Sequence, residues 1–337
     1  FGIHPDRAYE SYAALLEREA ALPADERIQF VSIATPNHLH FPIAQASLQA
    51  GFHVVCDKPM TVSLTDAERM VRTVQETGRV FALTHNYSGY PMVRQARDMI
   101  ASGELGDLIA VRVTYVQGWM HGMKPGDTPA RGAWKADPGR NGRAGSLGDV
   151  GTHAFHLLRF MTGLQPESLL SRMSSYSKHH ELDDYGHALI RFHTPAAGSP
   201  ATGLVTWSQV THGRLNDLAI EIDGTKAAVT WRQEEPNQLF VRSLGQPTRV
   251  YDRNPNAGYS TPAATASCRL PGGHPEAFFE AFANVYRDAF TEMRRRNSGE
   301  PSNPQPVFPT VHDGHDGVRF MTRCLESADQ NSAWQSW

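Results

Sequence analysis

The chain has 337 residues, of which 40% are hydrophobic and 20% charged, a composition typical of globular proteins and unlike that of collagens or disordered chains. Its 32 Lys and Arg against 35 Asp and Glu give a formal net charge of −3, so no net basic field favours binding to nucleic acid or to a membrane surface. The three widely spaced cysteines, Cys56, Cys268 and Cys324, fit neither a disulfide framework nor a paired metal motif, which predicts a reducing, cytoplasmic location.

Short apolar strands alternate with helices over the first ninety residues. The predicted elements are a helix over residues 6–20, a strand over 29–34, a helix over 41–50, a strand over 54–56, a helix from the capping box at 65–68 to Gly78, and a strand over 80–84. Strands that are apolar on both faces and separated by helices indicate a parallel sheet with right-handed crossovers. We therefore predict a doubly wound α/β sheet in this part of the chain.

Consecutive strands replace this alternation after Pro91. The predicted elements are a helix that ends at Gly103, a strand over 108–116, a helix over 149–162, strands over 169–176, 187–193, 203–209, 218–222, 227–232 and 239–243, and helices over 274–296 and 313–329. Strands that follow one another without helices, with a hairpin turn at Asp223-Gly224, predict an antiparallel sheet. Residues 118–147 carry Gly, Pro and two tryptophans, and we interpret them as a lid or a site wall.

The length predicts two domains, at roughly 100–200 residues per domain. We place the first over residues 1–88 and the second over 89–337, as an α+β domain with a large open, mainly antiparallel sheet. The last helix is expected to pack back on the first domain. An open sheet exposes an apolar face unless it is paired, so we also expect a homodimer or homotetramer through that face.

Polar residues crowd the carboxyl ends of the predicted parallel strands, at 35–40, 57–59 and 84–87. Ligands of doubly wound sheets bind beyond these ends. Lys58 lies between an apolar strand and Pro59, where partial desolvation strengthens the pull of its ammonium group on a developing alkoxide. The alternative is a surface lysine paired with Asp57.

A second candidate pair lies at the start of the helix over 149–162. Positions i and i+4 share one face of a helix, so Asp149 is predicted to contact His153 and to orient it as a general base. The alternative is an N-capping aspartate with a buried structural histidine. His156 lies on an adjacent face, and we interpret it as packing.

Two weaker groups of residues each allow a functional and a structural interpretation. For Asn37, His38 and His40, the functional one is contact with a nucleotide and the structural one is capping of the following helix. For Trp119 and Trp134, the functional one is stacking on a bound ring and the structural one is anchoring of the long loop.

Three motifs occur together, in this order: Ala34-Thr35-Pro36-Asn37-His38-Leu39-His40, Cys56-Asp57-Lys58-Pro59 and Gly145-Ser146-Leu147-Gly148-Asp149-Val150-Gly151-Thr152-His153. Each motif is weak alone, but in this order and at these separations the three resemble those of the Gfo/Idh/MocA family of NAD(P)-dependent sugar and cyclitol dehydrogenases. The resemblance spans most of the chain. It implies a Rossmann-like first domain that binds NAD or NADP, followed by a substrate-binding domain.

The family resemblance also implies roles for individual residues. The catalytic set is Lys58, Asp149 and His153. The implied cofactor contacts are Thr35, Pro36, Asn37, His40, Asp57, Lys58, Asn86 and Trp134. The implied substrate contacts are Tyr87, Tyr115, Trp119, His121, Lys135, Thr152, Asp184 and Tyr185. Asp57 replaces the usual Glu, and Lys135 stands where the family places Arg, which costs bidentate hydrogen bonding.

Members of this family open with a strand, a glycine-rich GxGxxG turn, a helix and a second strand. The sequence contains no GxGxxG, and Phe1 aligns with the end of that stretch. We therefore expect the sequence to be part of a longer protein whose N-terminal segment completes the dinucleotide site. Without it, the strand over 29–34 becomes an open sheet edge.

The resemblance implies reversible oxidation of a secondary hydroxyl on a sugar, cyclitol or related polyol, with no metal required. His153 takes the hydroxyl proton and Lys58 stabilises the alkoxide. Three alternatives stay open: a metal-dependent isomerase or lyase that uses Asp149, His153 and a third histidine, a non-catalytic sugar-binding relative, and an NAD-recycling glycosidase.

Overall fold

The structure is a computed structural model that describes residues 2–123, 127, 133–177, 182–193 and 200–337. Part of the predicted wall over 118–147 lies outside the described residues. The helices are α1 (Tyr12–Ala20), α2 (His40–Gln49), α3 (Leu64–Thr77), α4 (Pro91–Ala101), α5 (Pro138–Asn141), α6 (Thr152–Thr162), α7 (Pro262–Ser267), α8 (Phe278–Asn297) and α9 (Val311–Asp329). The strands are β1 (Phe30–Ile33), β2 (His53–Cys56), β3 (Phe81–Leu83), β4 (Leu108–Val116), β5 (Pro166–Ser174), β6 (Tyr185–Phe192), β7 (Thr202–Ser208), β8 (Asp217–Gly224), β9 (Ala227–Arg232), β10 (Gln238–Ser243), β11 (Arg249–Asp252) and β12 (Gln335–Ser336).

Strands β1, β2 and β3 pair in that order and run parallel. Val54 in β2 pairs with Val31 on one side and with Phe81 on the other, and every residue of β2 is buried. Helices α2 and α3 form the crossovers between these strands. The predicted parallel α/β sheet is confirmed, and the polar segments that follow its three strands lie at one edge.

The second sheet has the strand order β11-β10-β9-β8-β4-β7-β6-β5-β12. All of its pairs are antiparallel except β4 with β7, so the predicted large, mainly antiparallel sheet is confirmed and is mixed in detail. The parallel pair is possible because α6, β5 and β6 separate β4 from β7 along the chain. Elements α7, β11 and β12 were not predicted, since each is too short to show a clear period.

The two faces of the large sheet differ. Tyr115 pairs with Trp207, and Trp207 pairs with Gly186, so these three residues share the face on which α6 packs. Arg112 and Leu204 are register partners on the opposite face, where Leu204 is 39% exposed. This second face is the open one.

Helix α9 contacts both sheets. It packs against β5 of the large sheet and against α3 and β3 of the parallel sheet. Just before it, the Pro309 carbonyl accepts a hydrogen bond of 2.8 Å from the Leu83 N–H. Neither α9 nor any other helix in the described ranges is long and apolar enough to cross a membrane.

Some predicted boundaries are wrong because a capping or turn residue was misassigned. The first helix begins at Tyr12, because the Ser11 side chain caps it. Helix α3 is capped by Ser63, two residues before the predicted capping box. The hairpin between β8 and β9 turns at Thr225-Lys226, because the strands stay paired through Asp223.

Candidate active site

Two cavities meet at the carboxyl ends of the parallel strands. The first, which we call the β1 cavity, has a volume of about 200 Å³, and its border includes Thr35, Pro36, Asn37, Trp134 and Lys135. The second, which we call the His153 cavity, has a volume of about 330 Å³, and its border includes Asn86, Tyr87, Tyr115, Gln117, His153 and Asn216. Asp57, Lys58 and Asp149 border both cavities. Residues of both sheets therefore share one cleft.

A charged cluster lies where the cavities meet. The Lys58 ammonium donates to Asp149 Oδ1 at 2.8 Å and to the Asp149 carbonyl at 2.6 Å. Lys135 Nζ and Gln209 Nε2 donate to Asp149 Oδ2 at 2.9 and 2.7 Å. Burial alone would raise the pKa of Asp149, but the Lys58 and Lys135 ammonium groups hold it well below its ordinary value. The ionised carboxylate fixes the Lys58 nitrogen at the cleft.

The backbone before α6 brings Asp149 to Lys58. Residues Leu147–Gly151 form a single π turn, which is wider than an α-helical turn. The Asp183 carboxylate holds the start of this turn, because it accepts from the N–H groups of Gly145 at 2.6 Å and of Leu147 at 2.8 Å. A side chain at Gly145 would collide with the Asp183 carbonyl, so this approach requires glycine.

The π turn also corrects one sequence prediction. Among the described contacts, Asp149 and His153 do not form the expected hydrogen bond, and the donors to the carboxylate are Lys58, Lys135 and Gln209. The i and i+4 register assumed a regular α-helix over 149–162, and the wider turn offsets the carboxylate from the imidazole. The described bonds make Asp149 a partner of Lys58 and not of His153.

His153 is held by a second histidine. His85 Nδ1 lies 3.2 Å from His153 Nδ1, and the Tyr87 ring packs edge-on against the imidazole at a centroid distance of 5.0 Å. Burial, and then the Lys58 ammonium, lower the pKa of His153 well below its ordinary value. The imidazole is therefore neutral at neutral pH, as a general base must be.

Polar and aromatic side chains form the rest of the His153 cavity. The Tyr87 and Tyr115 hydroxyl oxygens are 2.6 Å apart, and the Tyr115 hydroxyl donates to Asn216 Oδ1 at 2.8 Å. Phe278 and Phe282, at the start of α8, add an apolar side. The cavity therefore offers amide and hydroxyl groups on one side and aromatic surface on another.

Comparison with known proteins decides the family. A model described as an oxidoreductase family with an NAD-binding Rossmann fold matches residues 3–85, and the GFO/IDH/MocA C-terminal domain matches residues 93–230. The Bacillus subtilis protein named uncharacterized oxidoreductase YfiI is 30% identical over 336 residues, which are 99% of this chain and 83% of that protein. The chain belongs to the Gfo/Idh/MocA oxidoreductase family. It is an NAD(P)-dependent enzyme of the dehydrogenase type, as predicted.

Solved structures support the same assignment. The inositol dehydrogenase homolog from Azotobacter vinelandii complexed with NAD⁺ has a TM-score of 0.92 and 35% identity, over 100% of this chain and 85% of that one. Its complex with NADH and myo-inositol has a TM-score of 0.88 and 34% identity, over 100% and 84%. Levoglucosan dehydrogenase of Pseudarthrobacter phenanthrenivorans is 29% identical over 240 residues, which are 64% of this chain and 58% of that protein.

The cleft of this Gfo/Idh/MocA enzyme fits part of a dinucleotide. Thr35 Oγ1, in the β1 cavity, and Asn86 Nδ2, in the His153 cavity, are buried and have no hydrogen-bond partner among the described residues. Buried polar atoms are usually paired, so these two fit hydroxyl and amide groups of a ligand. Asp57 and Trp134 border the same cleft, and the contacts of these four residues with NAD(P) stay predictions.

His40, a predicted cofactor contact, borders neither cavity. Its Nδ1 lies 2.8 Å from the Pro59 carbonyl and its Nε2 lies 2.9 Å from the Thr35 carbonyl, and the ring is buried. Both ring nitrogens are thus engaged by backbone. His40 thus links the segment after β1 to the segment after β2, and both segments border the β1 cavity.

Three predicted substrate contacts, Thr152, Asp184 and Tyr185, border neither cavity. The Thr152 hydroxyl donates to the Gly148 carbonyl at 2.9 Å, within the helix. The Asp184 carboxylate is buried and accepts from the N–H groups of Tyr176 and Ser177. Tyr185 precedes Gly186 in β6, and successive strand residues point to opposite faces, so Tyr185 lies on the open face.

Two further predicted substrate contacts border neither cavity. Trp119 Nε1 donates to Gln117 Oε1 at 3.0 Å, so it supports a residue of the cavity wall. His121 is exposed and packs on the His212 ring at 4.6 Å. Tyr87, Tyr115 and Lys135 do lie at the cleft, and their substrate contacts stay predictions.

Sequence reasoning missed several site residues. His85, Gln117, Gln209, Asn216, Phe278 and Phe282 were not singled out. Gln209 ends a predicted strand and His85 follows another, so a polar residue at a strand end was an available signal. Phe278 and Phe282 lie about 120 residues beyond His153 in the sequence, and no local pattern connects them to it.

Acid is expected to destabilise the enzyme partly through His156. Burial lowers the pKa of His156 to about 4, against 6.5 in the unfolded chain, so between these values the unfolded state binds a proton that the folded state does not. Stability present above pH 6.5 is therefore lost as the pH falls toward 4. Between pH 7 and pH 4.5, the free energy of unfolding should fall for the wild type and for His156→Phe. We expect the fall to be smaller in His156→Phe than in the wild type, by about 2–3 kcal/mol.

Denaturant unfolding at the two pH values measures this difference. His312→Phe, at an exposed histidine, is the matched control and should leave the pH dependence as in the wild type. Equal acid sensitivity of His156→Phe and the wild type would contradict the prediction.

Proposed function

We propose that this enzyme oxidises a secondary hydroxyl of a neutral sugar or cyclitol, reversibly, with NAD or NADP. The proposal is carried by one observation: Lys58 borders both cavities, and His153 borders the cavity next to the one that fits the cofactor. Bound NAD(P) supplies the hydride acceptor. The neighbouring structure in complex with myo-inositol and the relative named levoglucosan dehydrogenase support the substrate class.

The roles of the three catalytic candidates follow from their bonds. Neutral His153 accepts the hydroxyl proton. The Lys58 ammonium stabilises negative charge on the substrate oxygen as the proton leaves. Asp149 holds Lys58 in place because its carboxylate and its carbonyl both accept a hydrogen bond from the Lys58 ammonium. This assignment differs from the sequence-based one, in which Asp149 oriented His153.

The border of the His153 cavity favours an uncharged substrate. Of the described residues that border it, Lys58 is the only lysine or arginine, whereas two carboxylates, those of Asp57 and Asp149, border it as well. Binding a phosphate or carboxylate group there would leave its charge unmatched. Asn86, Gln117 and Asn216 suit ring hydroxyls, and Phe278 suits the C–H face of a ring.

The arrangement does not fit the metal-dependent alternative. Among the described residues, no group of three or more His, Cys, Asp and Glu side chains is placed to hold a metal ion. Asp149 also lies between two ammonium groups, which would repel a divalent cation.

Three further statements belong to the proposal. We propose a domain division near residue 88, since the two family models match residues 3–85 and 93–230 on either side of it. We propose a homodimer or homotetramer through the open face of the large sheet, where Leu204 is exposed. We propose the cytoplasm as the location, since Cys56, Cys268 and Cys324 are free thiols.

A substrate screen tests the proposed function. Neutral cyclitols, pyranoses and anhydrosugars, each offered with NAD⁺ and NADP⁺, should include a substrate that raises the absorbance at 340 nm. The phosphate ester of that substrate should react at least about tenfold more slowly, because its charge has no partner in the cavity. Faster reaction of the phosphate ester, or no polyol oxidation at all, would contradict the proposal.

Lys58→Met should lower kcat by about 100- to 1000-fold, since the alkoxide loses its main electrostatic stabilisation. The dissociation constant for the cofactor should change less than about threefold, because the interaction removed belongs to the reacting oxygen. Lys226→Met, at an exposed lysine in the β8–β9 turn, is the control and should keep wild-type turnover. A turnover of Lys58→Met close to that of Lys226→Met would remove Lys58 from the mechanism.

Leu204→Asp should shift the protein toward monomers, because it places a charge at the centre of the proposed interface. Light scattering after size exclusion measures the mass. Leu215→Asp is the control, since Leu215 is 84% exposed and lies in a loop. An oligomer that survives Leu204→Asp at low protein concentration would place the interface elsewhere.

A further inference from the structure

His85 is a buried titratable residue to which the family-implied catalytic set gives no role. It follows β3 and is 2% exposed. Its Nδ1 lies 3.2 Å from His153 Nδ1, and the two rings meet edge-on at 83°. His156 stacks on the other side of the His85 ring, at 4.3 Å and 6°. The plane of His85, and thus the direction of its Nδ1, is fixed by packing.

The contact between the two Nδ1 atoms holds one proton. A neutral imidazole has one N–H and one lone pair, so one ring donates and the other accepts. Burial is the main cause that lowers the pKa of both rings, so both are neutral at neutral pH. If His153 donates, its Nε2 keeps a lone pair. If His85 donates, His153 Nε2 carries the hydrogen and has no lone pair to accept a proton.

Lys58 favours the first arrangement. Its ammonium and His153 border the same cavity, and the ammonium is the strongest charge acting on the imidazole. A nearby cation is attracted by a lone pair and repelled by an N–H hydrogen. Lys58 therefore favours the tautomer of His153 with hydrogen on Nδ1, toward His85, and a lone pair on Nε2.

We propose that His85 is a positioning residue that accepts a hydrogen bond from His153 Nδ1–H and so keeps His153 Nε2 free as the base. The part that concerns the substrate rests on the proposed function. In the oxidation, the substrate O–H bond breaks and its proton binds His153 Nε2, while the carbinol hydride goes to NAD(P)⁺ and a ketone forms. The Nδ1–H bond to His85 is kept throughout.

Nitrogen NMR of histidine-labelled protein reads the tautomer directly and needs neither substrate nor activity. The His153 signals are assigned as those lost in His153→Gln. In the wild type we expect a protonated Nδ1 and an unprotonated Nε2. His85→Phe keeps the stacking on His156 but removes the acceptor, so His153 should shift toward the Nε2–H tautomer. His85→Asn, whose amide oxygen can replace Nδ1, should keep the wild-type pattern.

Kinetics provide the second readout. His85→Phe should lower kcat by about 100-fold with KM changed less than about threefold, and His85→Asn should recover to within about tenfold of the wild type. His156→Phe is the matched control, because it changes the other ring of the stack and leaves the contact between the Nδ1 atoms in place. It should keep both the tautomer and kcat.

An Nε2–H tautomer in the wild type, or a tautomer unchanged in His85→Phe, would overturn the proposal. Equal losses of kcat in His85→Phe and His156→Phe would do the same, since packing would then explain both. If no polyol is oxidised by the wild type, the proposed function fails, and the NMR result still decides the role of His85.

Discussion

The site depends on the partly buried bond between Lys58 and Asp149. Lys58 follows β2 of the parallel sheet, and Asp149 belongs to the π turn before α6, so this contact joins the two layers of the molecule. Burying a carboxylate is costly unless charges and donors compensate it, and here two ammonium groups and one amide do so. Removing one partner of such a pair typically costs about 3–5 kcal/mol. Loss of either partner would therefore leave an unpaired charge where the two sheets meet.

The same ammonium group sets the state of the base. It lowers the pKa of His153 further than burial does alone, and it favours a lone pair on Nε2, the nitrogen that is not in contact with His85. Catalytic histidines are often oriented by a carboxylate, which stabilises the imidazolium. His153 has a neutral histidine in that place, and the nearby carboxylate of Asp149 is bonded to Lys58. In the proposed reaction, the proton that His153 takes from the substrate is therefore held weakly and returns readily to the substrate oxygen in the reverse direction.

Much of the fold could be predicted from the sequence, because it depends on local pattern. The strands of the parallel sheet are short apolar runs between helices, and their polar ends mark the cleft. Lys58 could be found from this pattern alone, since it lies between a buried strand and a proline. Asp149 and His153 were named correctly as residues of one cleft, but their partners were not, because a π turn has no signature in hydrophobic periodicity.

The remaining differences between sequence and structure have one physical origin, which is that long-range packing decides where a side chain points. Asp184 and Tyr185 are neighbours in sequence, yet one binds backbone N–H groups and the other lies on the open face through the alternation of β6. His85 and Phe282 show the reverse case: the sequence analysis did not single them out, yet β3 and α8 bring them to His153 from distant parts of the chain. A residue-type pattern identifies groups able to do chemistry. The pairing of β4 with β7 and the packing of α8 determine which of them meet.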